Sequence, residues 1–490
     1  MPSPAIPPEL DLQAAPEHLP AHAHAATPAR DRIPLPAKLG YSFGGMAYNL
    51  MTNGIGNLAM FVLNIGLGVN PILIGLALSL PRLWDAITDP VMGSISDNFR
   101  SRFGRRKPFM LIGGIGSGVM FAALWLMPRG WSENAYFTYF LIASLIYYTF
   151  TTLFGVPWAA LGFSMTADYN ERTRLMGFNT FLSSIILLLM PWLYALTKLP
   201  IFPDSLVGAR VVGATVGGFI LLLSLLSTFL CQEKVVHQQM VAERKSLKNQ
   251  LFGTLSNRPF LILSAIVFTM CVGIFTISSI TPYIIIYYVY GGNETPASVL
   301  IGMGGSAWQI SSILFIPLVT MCSTRFSKKQ ALILFLIGAL LGNLLKWVCY
   351  NPSHPWLTLL PPVLIAMGFC ALWVLVASMI ADVCDFEELR SGARNEGMLG
   401  AIYSWVMKLG GTVAFASSGL LLNITGFQQS LGGAQSAQTI LNMRILDAGV
   451  PAIAVACALI LAVLYPLTER RSREIRASLE QKRGTLEALP

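Results

Sequence analysis

Charged side chains are scarce in this chain. Lys, Arg, Asp and Glu make up 12% of its 490 residues, about half the share of a soluble globular protein. That scarcity excludes a disordered chain, a coiled coil and an ordinary water-soluble enzyme. There are seven cysteines, none in a C-x-x-C pair, so neither a disulfide framework nor a zinc site is expected and they read as small apolar helix residues. A Walker loop, an H-E-x-x-H pair and a G-x-S-x-G elbow are all missing, so ATP-driven transport and membrane proteolysis lack their chemistry and no enzyme is expected.

What is plentiful is hydrophobic sequence: 54% of residues, with a mean hydropathy of +0.61. A membrane-spanning helix needs about 20 mostly apolar residues. Runs of that kind fall at roughly 40–66, 72–96, 108–127, 135–164, 175–197, 209–231, 259–290, 297–322, 330–350, 356–381, 396–424 and 447–467. The expected fold class is therefore an all-α membrane protein with twelve transmembrane helices. Pro81, Pro157, Pro191, Pro282 and Pro317 lie within these runs, as expected where helices bend around a cavity.

The net charge of +9 raises the question of a nucleic-acid partner, and the placement of the charges answers it. Of 33 Lys and Arg, 26 fall in segments on one side of the twelve-span layout. Arg129, Lys198, Arg210 and Arg444 fall on the other, and Arg82, Lys346 and Lys408 lie within spans. Such a bias marks the cytoplasmic face. It predicts both termini in the cytoplasm, a cell (inner) membrane location and no nucleic-acid partner. Residues 1–37 are Pro- and Ala-rich without a signal-peptide core, and read as a solvated cytoplasmic tail, His18, His22 and His24 included.

The two halves echo one another. Gly93-Ser-Ile-Ser-Asp97 followed by Gly104-Arg105-Arg106-Lys107 matches Thr324-Arg325-Phe-Ser-Lys328-Lys329, and Met165-Thr-Ala167-Asp168 through Arg172 matches Met379-Ile-Ala381-Asp382 through Glu388. The expected organisation is a six-helix bundle at 38–231, a cytoplasmic loop at 232–258, a second six-helix bundle at 259–467 and a basic cytoplasmic tail at 468–490. Parallel halves of six spans suit a secondary transporter that rocks around a midplane site. The recurring charges (Asp97, Arg105, Arg106, Asp168, Arg172, Asp382, Asp385 and Glu387) are expected to pair between halves as a cytoplasmic gate.

Charges inside the membrane cost about 2.5–3.5 kcal/mol each on insertion scales, so they are the functional candidates. Asp85 and Asp89 are four apart and share a helix face one turn apart. Their repulsion is relieved by a bound cation or proton. Thr88 adds a hydroxyl, and Arg82 lies three residues before Asp85, close enough to neutralise it. Lys408 sits well inside span 11 and is expected to face Asp85 or Asp89 across the protein. Lys346, nearer a helix end, is expected to snorkel to the interface.

At these residues the chain resembles the glycoside–pentoside–hexuronide (GPH):cation symporters of the major facilitator superfamily, of the melibiose-permease type. The resemblance covers about residues 38–467. It is most specific at Arg82-Leu-Trp-Asp85-Ala-Ile-Thr-Asp89-Pro90-Val-Met-Gly93, at Trp373-Val-Leu through Ala381-Asp382-Val-Cys-Asp385-Phe-Glu387, and at Lys408. It implies alternating-access symport of a sugar or glycoside-like solute. The cation site, sodium or proton, would be built on Asp85 and Asp89, with Thr88 and Thr152 as further oxygen ligands. Lys408 and Arg82 would couple that site to the substrate, with no other cofactor. Substrate contacts are expected from Asn49, Trp373, Tyr48 and Trp158 in a monomer within the lipid bilayer. The family's helix-1 aspartate is replaced by Asn49, its helix-4 aspartate by Gly155, the nearby tryptophan by Ala159 and its helix-5 arginine by Thr180. Loss of that acidic sugar clamp keeps two alternatives in view: a cation-coupled carrier of a lysolipid or other amphipathic solute, and a non-transporting sensor or assembly factor.

Overall fold

Helix starts in this chain are written in its turn residues. In a computed structural model describing residues 32–166, 169–231, 257–391 and 396–487, Asn70 caps the helix Pro71–Asn98 by accepting from the Ile72 amide at 2.9 Å, with Pro71 at the first helical position. A proline there loses no intrahelical bond. Ser132, Asp204, Asn257, Ser327 and Ser436 do the same for the helices that follow them.

The helices in chain order are α1 (Leu35–Met60), α2 (Pro71–Asn98), α3 (Lys107–Ala123), α4 (Glu133–Ser164), α5 (Tyr169–Leu189), α6 (Leu193–Thr197), α7 (Ser205–Leu230), α8 (Arg258–Ser278), α9 (Thr281–Ile284), α10 (Glu294–Arg325), α11 (Lys328–Cys349), α12 (Leu360–Ala371), α13 (Ala377–Ser391), α14 (Glu396–Ile424), α15 (Ala437–Leu464) and α16 (Glu469–Glu487). No strand occurs among the described residues. Pro191 and Pro282 sit at helix breaks, and wide π turns occur at Phe61–Gly66, directly after α1, and at Ile285–Val289 and Leu372–Val376.

Among the described residues, ten helical stretches are long and apolar enough to cross a membrane, so this is a multi-pass membrane protein. The two other expected spans coincide with α1 and α3. α3 is only 17 residues long, and α1 carries Asn49, Thr52, Asn53 and Asn57 among its apolar residues.

α1 packs on α4, α5 and α7, and α2 on α4, while α3 lies between α4 and α7. Later in the chain α8 packs on α14 and α15, and α11 on α12 and α15. Two seams join these groups: α2 against α14, and α5 with the Met190–Trp192 turn against α10. Both seams close at the same end. A Cβ on Gly419 would stand 2.0 Å from the Pro71 carbonyl oxygen, and one on Gly305 would stand 2.2 Å from the Pro191 ring. Only glycine allows these approaches. Tyr283 Oη donates to Asn64 Oδ1 at 2.8 Å, Trp192 Nε1 to Ser306 Oγ at 2.8 Å, and Gln429 Nε2 to the Ile65 carbonyl at 3.1 Å. Towards the opposite end, which carries the Arg- and Lys-rich loops, Ile87 and Val91 of α2, Trp405 of α14, Phe181 of α5 and Leu314 of α10 are exposed.

Candidate functional site

α2 and α14 run antiparallel, and their midpoints bring together the charges that are 319 and 323 residues apart in sequence. Lys408 Nζ lies 3.1 Å from Asp85 Oδ2 and also contacts Asp89 Oδ2. From α4, Thr152 Oγ1 donates within 2.7 Å of Asp85 Oδ1 and 3.0 Å of Asp89 Oδ1. Thr88 Oγ1 lies 3.3 Å from Thr152 Oγ1. Two carboxylates, two hydroxyls and one ammonium thus converge from three helices. An ammonium and a hard cation want the same carboxylate oxygens, so binding of one weakens the hold of the other.

Arg82 does not neutralise Asp85. Its Nη2 donates to the Thr52 carbonyl of α1 at 3.2 Å, and its guanidinium stacks 5.0 Å from the centre of the Phe415 ring of α14. A guanidinium takes both a carbonyl and a ring face readily. Arg82 therefore ties α1, α2 and α14 together beside the carboxylates.

The expected substrate residues divide. Asn49 and Tyr48 are partly exposed on α1, and the Asn49 amide donates to the Gly45 carbonyl at 2.9 Å. The Tyr48 ring lies over Gly155, where a Cβ would be 2.3 Å from its Cε2. Trp373 is 46% exposed on the π turn before α13. Trp158 departs from expectation: it is buried, its Nε1 donates to the Tyr41 carbonyl at 3.0 Å, and it stacks on Tyr41 at 5.0 Å. Its polar atom is already used, so it serves as packing between α1 and α4.

The gate candidates also sort themselves. Arg106 is buried and donates to the Ala160 carbonyl at 2.8 Å and Ser164 Oγ at 2.7 Å. Arg172 reaches the Thr166 carbonyl at 3.2 Å. Asp382 pairs with Lys328 at 2.7 Å, and Glu387 accepts from Asn257 at 2.8 Å and lies 3.4 Å from Arg390. These contacts join elements on the same side of the seams, not across them. Arg105 precedes α3 and Asp385 lies half-buried on α13; Asp168 and the Asp97 side chain lie outside the described residues.

Two features escaped the sequence reading. Lys346 does not snorkel: it is 7% exposed and lies 3.3 Å from Asp447 Oδ1, which also accepts from Thr281. Burial of an ammonium is tolerable only beside such a partner. The second is a row of amides on α1, Asn49, Asn53 and Asn57, each four residues from the next. That spacing was itself visible as a helix-face repeat.

An all-helical membrane protein with seams between two groups of helices and partly buried charges paired across one of them is built as a transporter of the major facilitator superfamily. Within it, the chain belongs to the MFS/sugar transport protein family, whose model matches residues 40–469. Among its relatives is an isoprimeverose transporter of Lactiplantibacillus pentosus, 23% identical over 96% of this chain and 97% of its own. A sodium-dependent lysophosphatidylcholine symporter of Gallus gallus is 23% identical over 93% of this chain and 91% of its own. The fold is similar to the crystal structure of a bacterial homologue of the human lysosomal transporter Spinster in an inward-facing conformation, with a TM-score of 0.65 and 13% identity over 89% of this chain and 98% of that one.

Proposed function

We propose that this protein is a cation-coupled symporter that carries a sugar or glycoside-like solute by alternating access. Its working parts are two six-helix bundles (38–231 and 259–467), its termini are cytoplasmic in the cell membrane, and it works as a monomer. The observation that carries the reading is the convergence of Asp85, Asp89, Thr152 and Lys408 at the α2–α14 seam. A sodium ion or proton taken up by the carboxylates relieves their repulsion and releases Lys408. The freed ammonium is then available to substrate alongside Asn49, Tyr48 and Trp373. Because the two carboxylates and Lys408 sit on opposite sides of one seam, cation binding changes the force between the bundles, which is what coupling requires. The charge bias supports a cytoplasmic position for the end that carries the Arg- and Lys-rich loops, and the gate residues on that face would pair between the bundles as the carrier closes there.

One charge moved across 100 mV corresponds to about 2.3 kcal/mol, roughly fiftyfold accumulation. The test is uptake of a glycoside panel by proteoliposomes under an imposed sodium or proton gradient. Accumulation driven by one gradient and lost in Asp89→Asn is expected. Uphill uptake by Asp89→Asn with an unchanged cation dependence would sink the assignment.

A second reading, an amphipathic or lysolipid solute, has one observation in its favour. The sodium-dependent lysophosphatidylcholine symporter of Gallus gallus matches this chain along most of both lengths. Lysolipid uptake by the same proteoliposomes in preference to every glycoside would select it.

A further inference from the structure

At the end where the seams close, cations mostly meet a carboxylate. Arg129 pairs with Asp204 at 2.8 Å, Arg210 lies close enough to feel the same carboxylate, and Lys198 pairs with Glu294. Arg444 stands at that end too, two turns into α15, just past the loop whose Gln429 reaches the Ile65 carbonyl. It makes no ion pair among the described residues. Its Nη2 donates to the Trp347 carbonyl of α11 at 2.7 Å. Its guanidinium carbon lies 4.6 Å from the centre of the Trp347 ring and 4.5 Å from that of Tyr288. A carbonyl and two rings hold the fork in place. Its Nε and Nη1 have no protein partner among the described residues, and part of the residue stays uncovered.

The surface around this fork faces lipid. Leu344, Trp347 and Val348 of α11 and Leu441 and Ile445 of α15 are all exposed. Both helices are long and apolar enough to cross a membrane, and the two seams are built by other helices. Exposed apolar side chains on such helices have acyl chains as their solvent. Helix length sets the depth. α15 has 28 residues, about 42 Å of helix against about 30 Å of hydrocarbon. Arg444 lies two turns from its start, and Trp347 lies two residues before Cys349, where α11 ends. Both therefore stand where hydrocarbon gives way to headgroups, the level at which Trp and Tyr concentrate.

We propose that Arg444 is a phospholipid-binding site. Its remaining N–H groups take the phosphodiester of one membrane lipid, while Leu344, Val348, Leu441 and Ile445 lie along the acyl chains. A guanidinium offers a phosphate parallel, charge-assisted hydrogen bonds, and at this depth the bilayer itself supplies the anion that the chain does not. Zwitterionic and anionic phospholipids share the phosphodiester, so both qualify, and a lipid without phosphate does not. The bound lipid braces the contact between α11 and α15, the same pair of helices that holds Lys346 and Asp447 together. The site rests on the membrane position of these helices and not on the transported solute.

The experiment is native mass spectrometry of the purified full chain, titrated with dioleoyl phosphatidylglycerol, dioleoyl phosphatidylcholine and phosphate-free dioleoylglycerol. Each phospholipid is expected to occupy its tightest position about tenfold more strongly than dioleoylglycerol does. Arg444→Gln should erase that difference for phosphatidylcholine, and Arg444→Lys should keep part of it. Equal binding of all three lipids by the native chain, or a phosphatidylcholine preference that survives Arg444→Gln, overturns the proposal. Should Arg444→Gln fail to fold, Trp347→Leu removes one of the rings that hold the fork and is expected to lower the same preference; an unchanged preference there overturns the proposal equally. Inorganic phosphate that displaces phosphatidylcholine from the native chain would mark a small-anion site and overturn the lipid assignment.

Discussion

Lys408 on α14 bridges Asp85 and Asp89 on α2, with its Nζ 3.1 Å from Asp85 Oδ2. This ammonium occupies the oxygens that a transported cation would need. Replacing it with an uncharged side chain of similar length removes the competitor and leaves two carboxylates repelling one another. Lys408→Met is therefore expected to raise apparent cation affinity about tenfold or more, given the several kcal/mol available to charges this close at an effective dielectric of about 20. The same variant should lose accumulation, because nothing then reports cation binding across the seam. Cation titration of binding, run beside gradient-driven uptake in proteoliposomes, checks both halves. Unchanged affinity with intact accumulation would show that Lys408 is a bystander.

The buried pair of Lys346 and Asp447 is a separate unit with a separate expectation. Lys346 on α11 and Asp447 on α15 are 7% and 1% exposed, and Thr281 at the start of α9 donates to the same carboxylate. Breaking a buried pair leaves an uncompensated charge and costs about 3–5 kcal/mol, whereas replacing both members with apolar residues is often close to neutral. Lys346→Met alone should lower the thermal unfolding midpoint sharply, and Lys346→Met with Asp447→Leu should recover most of the loss. Additive losses in the double variant would mean that the two side chains are not coupled.

What could be read in advance depended on distance along the chain. Asp85 and Asp89 declared themselves because a four-residue spacing fixes a shared face before any tertiary contact forms. Lys408 declared itself because an ammonium far from a helix end must find a carboxylate somewhere. Lys346 gave no such signal: its partner is 101 residues away, at the edge of a run that looked like an ordinary membrane entry. Trp158 misled for a different reason. A tryptophan beside expected cavity residues reads as a ligand platform, and only the bond to the Tyr41 carbonyl shows that its indole is already spent. The recurring loop charges were legible as a collar, but which partner each one takes is set by tertiary contacts that no spacing along the chain reveals.

Near the start of the described chain, Glu171 supplies a pH-sensitive tether. Burial raises its carboxyl, but the hydrogen bonds from Lys38 (2.6 Å) and the Ile33 amide (3.0 Å) outweigh that and hold it below the usual carboxylate range. A lowered carboxyl stabilises the docked segment above about pH 4.3, its ordinary value, and loses that contribution as pH falls through the lowered one. Hydrogen exchange at the Ile33 amide, corrected for intrinsic rate, should therefore stay slow at neutral pH and quicken as pH falls through that lowered value. Glu171→Gln should show fast exchange at neutral pH with little further change on acidification. Protection that is the same in both forms at every pH would mean the amide is held by something other than this carboxylate.

Gly155 marks where this chain has closed off the acidic clamp that its sequence resemblance led one to seek. The Tyr48 ring fills the space a side chain would take, 2.3 Å from where a Cβ at 155 would stand, and leans on Trp158 at 5.5 Å between ring centres. Any larger residue must push the ring aside, and overpacking of this kind costs about 1–3 kcal/mol. Gly155→Asp is therefore expected to lower both stability and uptake even though it restores a carboxylate to helix α4. Tyr48→Ala in the same chain should regain the stability, because the ring that clashed is gone. The decisive comparison is the unfolding midpoint of the single and double variants against Tyr48→Ala alone. If Gly155→Asp is as stable as the native chain, the Tyr48 ring moves freely. The glycine then reflects a choice of solute and not a packing constraint.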